Sequence, residues 1–163
     1  MLPAQSIPRI DSHRVRSASV DDIPLLLRLE SQFPTDRISR RSFLYLLRRA
    51  HADVLVVDGA GSLLGDAVVL YRRGVASARL YSIVVALDVM RIGIGRILLE
   101  SAEAAARAHG RTSMVLEVRE DNLGALALYQ RTGYRNVKRI PGYYQDGAAG
   151  LRLVKPFDAS SPL

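Results

Sequence analysis

The chain has 163 residues, 48% of them apolar and 24% charged, with a formal charge of +7 and no cysteine. That length fits one domain with a real core, and no apolar run approaches the roughly 18 residues a membrane span needs. The missing cysteines exclude disulfides, thiolate metal sites and a cysteine nucleophile; His13, His51 and His109 are far apart and lack ligand spacing, so no metal is expected.

In chain order, residues 1–13 are rich in Pro and Ser and are expected to form a loose tail, as are 158–163, with the domain itself over 14–157. The start of the chain holds no long apolar block, so no secretory signal is expected and the cytoplasm is the expected compartment. A short first strand is expected at 13–16. Ser19, Val20, Asp21 and Asp22 read as a helix start, with small polar caps and acid in the first turn. Pro24 is tolerated there, where helix N–H groups lack partners anyway. The helix should run to about Gln32, until Phe33, Pro34, Thr35 and Asp36 break it. A second helix over 39–50 places Phe43, Leu46 and Leu47 on one face.

Three β-branched, apolar runs follow at 52–58, 63–71 and 76–85, parted by Asp58-Gly59-Ala60-Gly61 and Arg72-Arg73-Gly74. They read as an antiparallel meander. Helical spacing returns over 93–109 at Ile94, Ile97, Leu98, Ala102 and Ala105, and stops at Gly110. A strand at 112–118, a helix at 122–131 stopped by Gly133, and closing strands at 134–139 and 151–155 complete the chain. The strand–helix–strand run from 76 to 118 implies parallel neighbours. The fold class is therefore α/β, a mixed and mostly antiparallel sheet with helices on both faces.

The sharpest local feature is Met90-Arg91-Ile92-Gly93-Ile94-Gly95-Arg96, between a strand and a helix. Glycines let the backbone turn tightly and approach a ligand. The helix that follows opens with unpaired N–H groups and the positive end of its dipole, a seat for an anion and for a pyrophosphate in particular. A third glycine is missing, which sets aside the dinucleotide fingerprint, and Gly-Lys-Ser/Thr is missing, which sets aside the P-loop. On its own the turn could equally be a tight strand-to-helix connection.

Two further stretches follow in order: Leu116-Glu117-Val118-Arg119-Glu120-Asp121-Asn122, and Ala125-Leu126-Ala127-Leu128-Tyr129-Gln130-Arg131-Thr132-Gly133-Tyr134. With the glycine turn, the chain resembles the GNAT (acyl-CoA N-acyltransferase) superfamily, and within it RimI-like enzymes that acetylate protein N-terminal amines. The resemblance runs from about Arg14 to Lys155. It implies an acetyltransferase that uses acetyl-CoA as co-substrate, and a parallel strand pair around the cofactor slot. The backbone of Arg91, Ile92, Gly93, Ile94, Gly95 and Arg96 would bind the CoA pyrophosphate. Ile83, Val84 and Val85 would pair with the pantetheine arm, and a bulge there would splay this strand from 112–118. Asn122 would touch the cofactor arm, Tyr129 would protonate the departing sulfur, and Glu117 would be the general base. The Gly142-Tyr143-Tyr144 run also resembles a RimI-like feature. Departures are Met90 in place of Gln or Arg, Ala86-Leu87 after the strand, and Gly150-Leu151 where Asp-Ala is common.

The residues carry second readings. Asn122 and Tyr129 are seven apart, so a helix turns both the same way, about 10 Å apart; they also suit an N-cap and a core tyrosine. Glu117 shares a strand face with Val115 and Arg119. Half-burial would raise its pKa and suit it to act as a base; pairing with Arg119 or another Arg is the plain alternative. Tyr143 and Tyr144 could wall a substrate groove or pack a hairpin tip. The positive charge would attract a phosphate-rich cofactor, an acidic surface or nucleic acid, or be a solvated face. Dispersed charges and no RNA-recognition aromatic motif argue against nucleic acid. The expected acceptor is a primary amine, a protein or peptide N-terminus before a small molecule; a non-catalytic CoA-binding domain is the other reading. Monomer and homodimer are both open.

Overall fold

Continuous β-branched, apolar runs build the central strands, which are buried on both faces, and 3.6-residue spacing builds the helices. The structure, a computed structural model, describes residues 14–34, 36–48, 51–90 and 92–158. The strands are β1 (Val15–Ser17), β2 (Ala52–Asp58), β3 (Leu63–Tyr71), β4 (Ser77–Val85), β5 (Ser113–Arg119), β6 (Arg135–Ile140) and β7 (Gly150–Pro156). The helices are α1 (Ile23–Glu30), α2 (Arg40–Leu47), α3 (Ile94–Ala108) and α4 (Leu123–Arg131), with 3-10 turns at Val20–Asp22 and Leu87–Val89. β2 and β3 match the expected strands residue for residue. β1 lies later than expected, and α1 stops at Glu30, short of Gln32. His13 and Ala50, the tail over 1–13 and all but Asp158 of the one over 158–163 lie outside the described residues.

Among the described residues the strands form one sheet in the order β1-β2-β3-β4-β5-β7-β6. Its neighbours are antiparallel except β4 and β5, the pair joined through α3. That parallel pairing is short. It sets Ser77 opposite Ser113, Ala78 opposite Met114 and Arg79 opposite Val115, and then ends. The cause is a bulge: β3 pairs Val69 with Leu80 and Val68 with Ser82, which leaves Tyr81 over. An extra residue bends its strand and raises the local twist. It also reverses the alternation, so that Ala78 and Leu80 enter one apolar layer before the bulge and Ile83 and Val85 after it. The bulge was expected at Ile83–Val85 and sits ahead of them.

Two apolar layers hold the sheet. On one face α3 buries Ile94, Leu98, Leu99, Ala102 and Ala106 against β3, β4 and β5. The stripe passes through Ala106 where the sequence suggested Ala105. On the other, Ile23, Leu26 and Leu29 of α1 and Phe43 of α2 lie against Val56 and Val68. Each such side chain contributes roughly 1.5–3 kcal/mol by leaving water. Arg16 forks between Asp22 and Asp58 at 2.7–2.9 Å and ties β1, the start of α1 and β2 together.

The second layer also buries two carboxylates. Glu30 accepts a hydrogen bond from the Ile38 backbone at 3.0 Å, which fastens the α1–α2 loop. Its other oxygen and both oxygens of Asp66 have no partner among the described residues. Burial, then the neighbouring Glu30, raises Asp66 well above the usual carboxylate range, and burial also raises Glu30.

α1 and α2 pack chiefly on β2 and β3. Met114, Leu116 and Val118 of β5 and Leu153 of β7 point into the α3 layer. Alternation turns Val115, Glu117, Arg119 and Arg152 to the opposite face, the floor of a candidate groove beside the parted strands.

Candidate functional site

The glycine turn enters α3 through Gly93, whose φ of 94° lies in the left-handed region that glycine adopts without strain. The first hydrogen bond of the helix runs from Ile97 N to Gly93 O at 3.2 Å. The N–H groups of Ile94, Gly95 and Arg96 precede any helical acceptor and face the dipole's positive end. At Gly95 a Cβ would stand 3.4 Å from Leu128 and 3.6 Å from Val85, which is ordinary contact. Packing therefore does not demand glycine there; a ligand lying on the backbone would. The same distances bring the turn, the end of β4 and α4 together. Arg96 pairs with Glu100 at 3.0 Å, and both are exposed. Ile92 packs into the core, and Arg91 lies outside the described residues.

The side chains of Ile83 and Val85 pack into the α3 layer and that of Val84 into the α1–α2 layer, so this strand end has only backbone to offer. Ala86 N donates to Leu64 O at 2.8 Å, beyond the Gly65–Val85 pair. Antiparallel ladders alternate, so the polar backbone groups of Val85, and of Ile83 two residues back, turn from β3 toward the slot.

Asn122 is the N-cap of α4 and accepts a hydrogen bond from Ala125 N at 3.2 Å. Tyr129, two turns on, is 4% exposed and meets Tyr134 edge to face at 5.5 Å. Asn122 stands at the surface and the Tyr129 ring is core, the N-cap and core-tyrosine arrangement that their spacing also suited. Burial, then the Tyr144 phenol, raises the Tyr129 hydroxyl above its ordinary value and keeps it a proton carrier at neutral pH.

Glu117 is a buried carboxylate on the groove floor. Arg79 Nη2 lies 2.6 Å from Glu117 Oε2, and Arg152 Nε donates to Oε1 at 3.1 Å. Arg152 stands directly across the β5–β7 ladder from Glu117. Arg119 is not its partner; it pairs with Asp121 and Asp146. Above the floor, Arg119 lies 5.0 Å from the Tyr144 ring, and Tyr143 and Tyr144 meet edge to face at 5.0 Å. The loop thus packs on itself and on Arg119. Burial, Tyr143 and Asp36 push the Tyr144 phenol up to about 12, Arg119 opposes them, and Glu117 adds to the rise. Asp36 brings the α1–α2 loop to the same place.

Arg79 and Arg152 were missed in the sequence. A charged residue at position 79 amid apolar neighbours was a signal; the register that sets Arg152 against Glu117 was not readable.

The model for the Acetyltransferase (GNAT) family matches residues 23–134. An N-alpha-acetyltransferase of Sulfurisphaera tokodaii is 25% identical over 155 residues, 88% of this chain and 93% of that one. The [ribosomal protein bS18]-alanine N-acetyltransferase of Salmonella typhimurium is 37% identical over 67 residues, 41% of this chain and 45% of that enzyme. The crystal structure of the ribosomal-protein-S18-alanine N-acetyltransferase from Escherichia coli superposes with a TM-score of 0.80 at 24% identity, covering 93% of this chain and 98% of that one.

Proposed function

The chain belongs to the GNAT acetyltransferase family, and on that footing we propose that it acetylates the N-terminal α-amine of a protein or peptide in the cytoplasm. Among the described residues no helix is long and apolar enough to cross a membrane, which fits that compartment. The relatives' names support the acceptor class, since they denote enzymes of protein N-termini.

Acetyl-CoA is the family's donor and supplies an acetyl group on an activated thioester. The residues present fit it. The backbone of Ile92, Gly93, Ile94, Gly95 and Arg96 would hold the pyrophosphate, with Arg91 beside them. Ile83 and Val85 would offer main-chain hydrogen bonds to the pantetheine arm, with Val84 between them, and Asn122 would offer its amide. The observation that carries the reading is the parting of β4 and β5 beyond Arg79 and Val115, with the glycine turn at its mouth and Glu117 on its floor.

The amine attacks directly, without an acyl-enzyme. Glu117 accepts its proton, directly or through water, at a lone pair the arginines leave open. The outward N–H of Val85 stabilises negative charge on the carbonyl oxygen. Tyr129 holds the proton that neutralises the leaving sulfur. Tyr143 and Tyr144 flank the acceptor. The test is a mass-spectrometric screen of peptides with varied N-termini and of small amines, with thiol release recorded. N-terminal acetylation of peptides is expected. Transfer to small amines alone would replace the acceptor class, and no thiol release with any amine would favour a non-catalytic CoA-binding domain.

A further inference from the structure

The reading of the groove as an acceptor site leaves one feature unused. Glu117 faces two guanidiniums, Arg79 at 2.6 Å and Arg152 at 3.1 Å, where one would balance its charge. A buried carboxylate needs a partner, but a second cation beyond balance costs repulsion and desolvation unless another anion shares it. Glu117 itself is 5% exposed, whereas Arg79 is 42% and Arg152 36% exposed in their side chains. Both arginines therefore reach into the groove.

The donor inventory agrees. A guanidinium carries five N–H donors in a planar fork. Glu117 takes one nitrogen of each, and Arg79 Nη2 also lies 3.5 Å from the Tyr143 hydroxyl. The structure gives the remaining nitrogens no other acceptor among the described residues. Lys138 stands across the β6–β7 ladder from Arg152 and adds charge to the same end. At the other end Arg119 meets two carboxylates, Asp121 and Asp146, and Asp36 acts on Tyr144. Cations thus gather across β4 and β7, whereas carboxylates flank Arg119 at the Tyr144 end.

We propose that Arg79 and Arg152 are specificity-determining residues that select an acceptor peptide with an acidic side chain at its second residue. The α-amine lies beside Glu117 toward the Tyr144 end, and the acceptor's carboxylate takes the spare N–H groups of the two arginines. Planar guanidiniums suit this, since they bind carboxylates with fixed geometry.

The test compares kcat/KM for peptides identical except at the second residue: Asp, Asn, Glu, Gln and Lys. Wild-type protein should favour Asp over Asn and Glu over Gln by on the order of tenfold, mainly through KM, with the ratio shrinking at high salt. R79M and R152M should each pull that ratio toward one, and R152E should move the preference toward Lys. An acidic-to-amide ratio of one or less in the wild type would overturn the proposal and leave peptide acetylation standing; free aspartate and glutamate being acetylated in place of the peptides would overturn both the proposal and the peptide acceptor. Absence of thiol release with any amine would instead remove the reading on which it rests. If the variants fail to fold, the wild-type panel and its salt dependence decide alone.

Discussion

The proposed donor and acceptor sides of the slot are made of different chemical parts, main chain on one and side chains on the other. Toward α3, the site is backbone: the N–H groups after Gly93, and the outward edge of β4 at Ile83 and Val85, with their side chains turned into the core. Toward β5 and β7, it is side chain: Glu117 of β5, Arg152 of β7 and the tyrosines of the β6–β7 loop, with Arg79 reaching across from β4. Backbone recognition tolerates any sequence that preserves the turn. Side-chain recognition can change with single substitutions while the sheet stays intact, so the acceptor can diverge while the donor is kept.

The largest effect that would sharpen this contrast is expected at Tyr129. Y129F should lower kcat by about 10²-fold or more, as loss of a proton donor does, and leave CoA affinity within about twofold. Thiol-release kinetics and calorimetry check the two quantities; parallel losses would make the residue a packing element. Next come the glycines. G95A meets only ordinary contacts inside the protein, so its melting temperature should hold while CoA binding weakens by on the order of tenfold. G93V must occupy a φ of 94°, at a cost of roughly 1–2 kcal/mol, so both stability and affinity should fall. Equal binding by wild type and G95A would break the claim that a ligand lies on this backbone.

A smaller effect is expected where the two sides meet. Asp66 lies opposite Val84 of the donor strand, and Glu30 holds Ile38 of the loop near the acceptor groove. The folded state binds a proton at Asp66 more tightly than the unfolded chain does. This group therefore favours folding most in acid, and its contribution is lost as pH rises from about 4 toward neutrality. D66N should flatten that decline in a denaturation series, so that its stability changes less with pH than that of the wild type. Smallest is N122A, which removes the α4 cap and should cost about 1 kcal/mol or less.

Most of the donor side was legible because it is local. Gly93 and Gly95 lie next to the helix whose N–H groups they expose, and the length of the 76–118 segment alone required a parallel pair. The meander of β2 and β3 followed from two β-branched, apolar runs parted by Asp58-Gly59-Ala60-Gly61. The acceptor side was legible only as Glu117 and the two adjacent tyrosines. Arg79 and Arg152 come to Glu117 across separate ladders, and no local pattern states which residue of β7 stands opposite which of β5. Helical geometry gave Asn122 and Tyr129 a shared direction but not a depth; the Tyr129 ring is buried against Tyr134. Asp66 carried no local signal of its burial, since an acid in an apolar strand is equally compatible with an edge.

Tyr81 interrupts a count. Upstream of it, even-numbered side chains of β4 enter the α3 layer; downstream, odd-numbered ones do. Were the chain shortened by that single tyrosine, β4 could run on in step with β3, without the bend that draws it away from β5. The two parallel strands could then close like a seam from Ser77 onward, and the cleft would be stitched shut without the loss of any residue to which a chemical role is assigned.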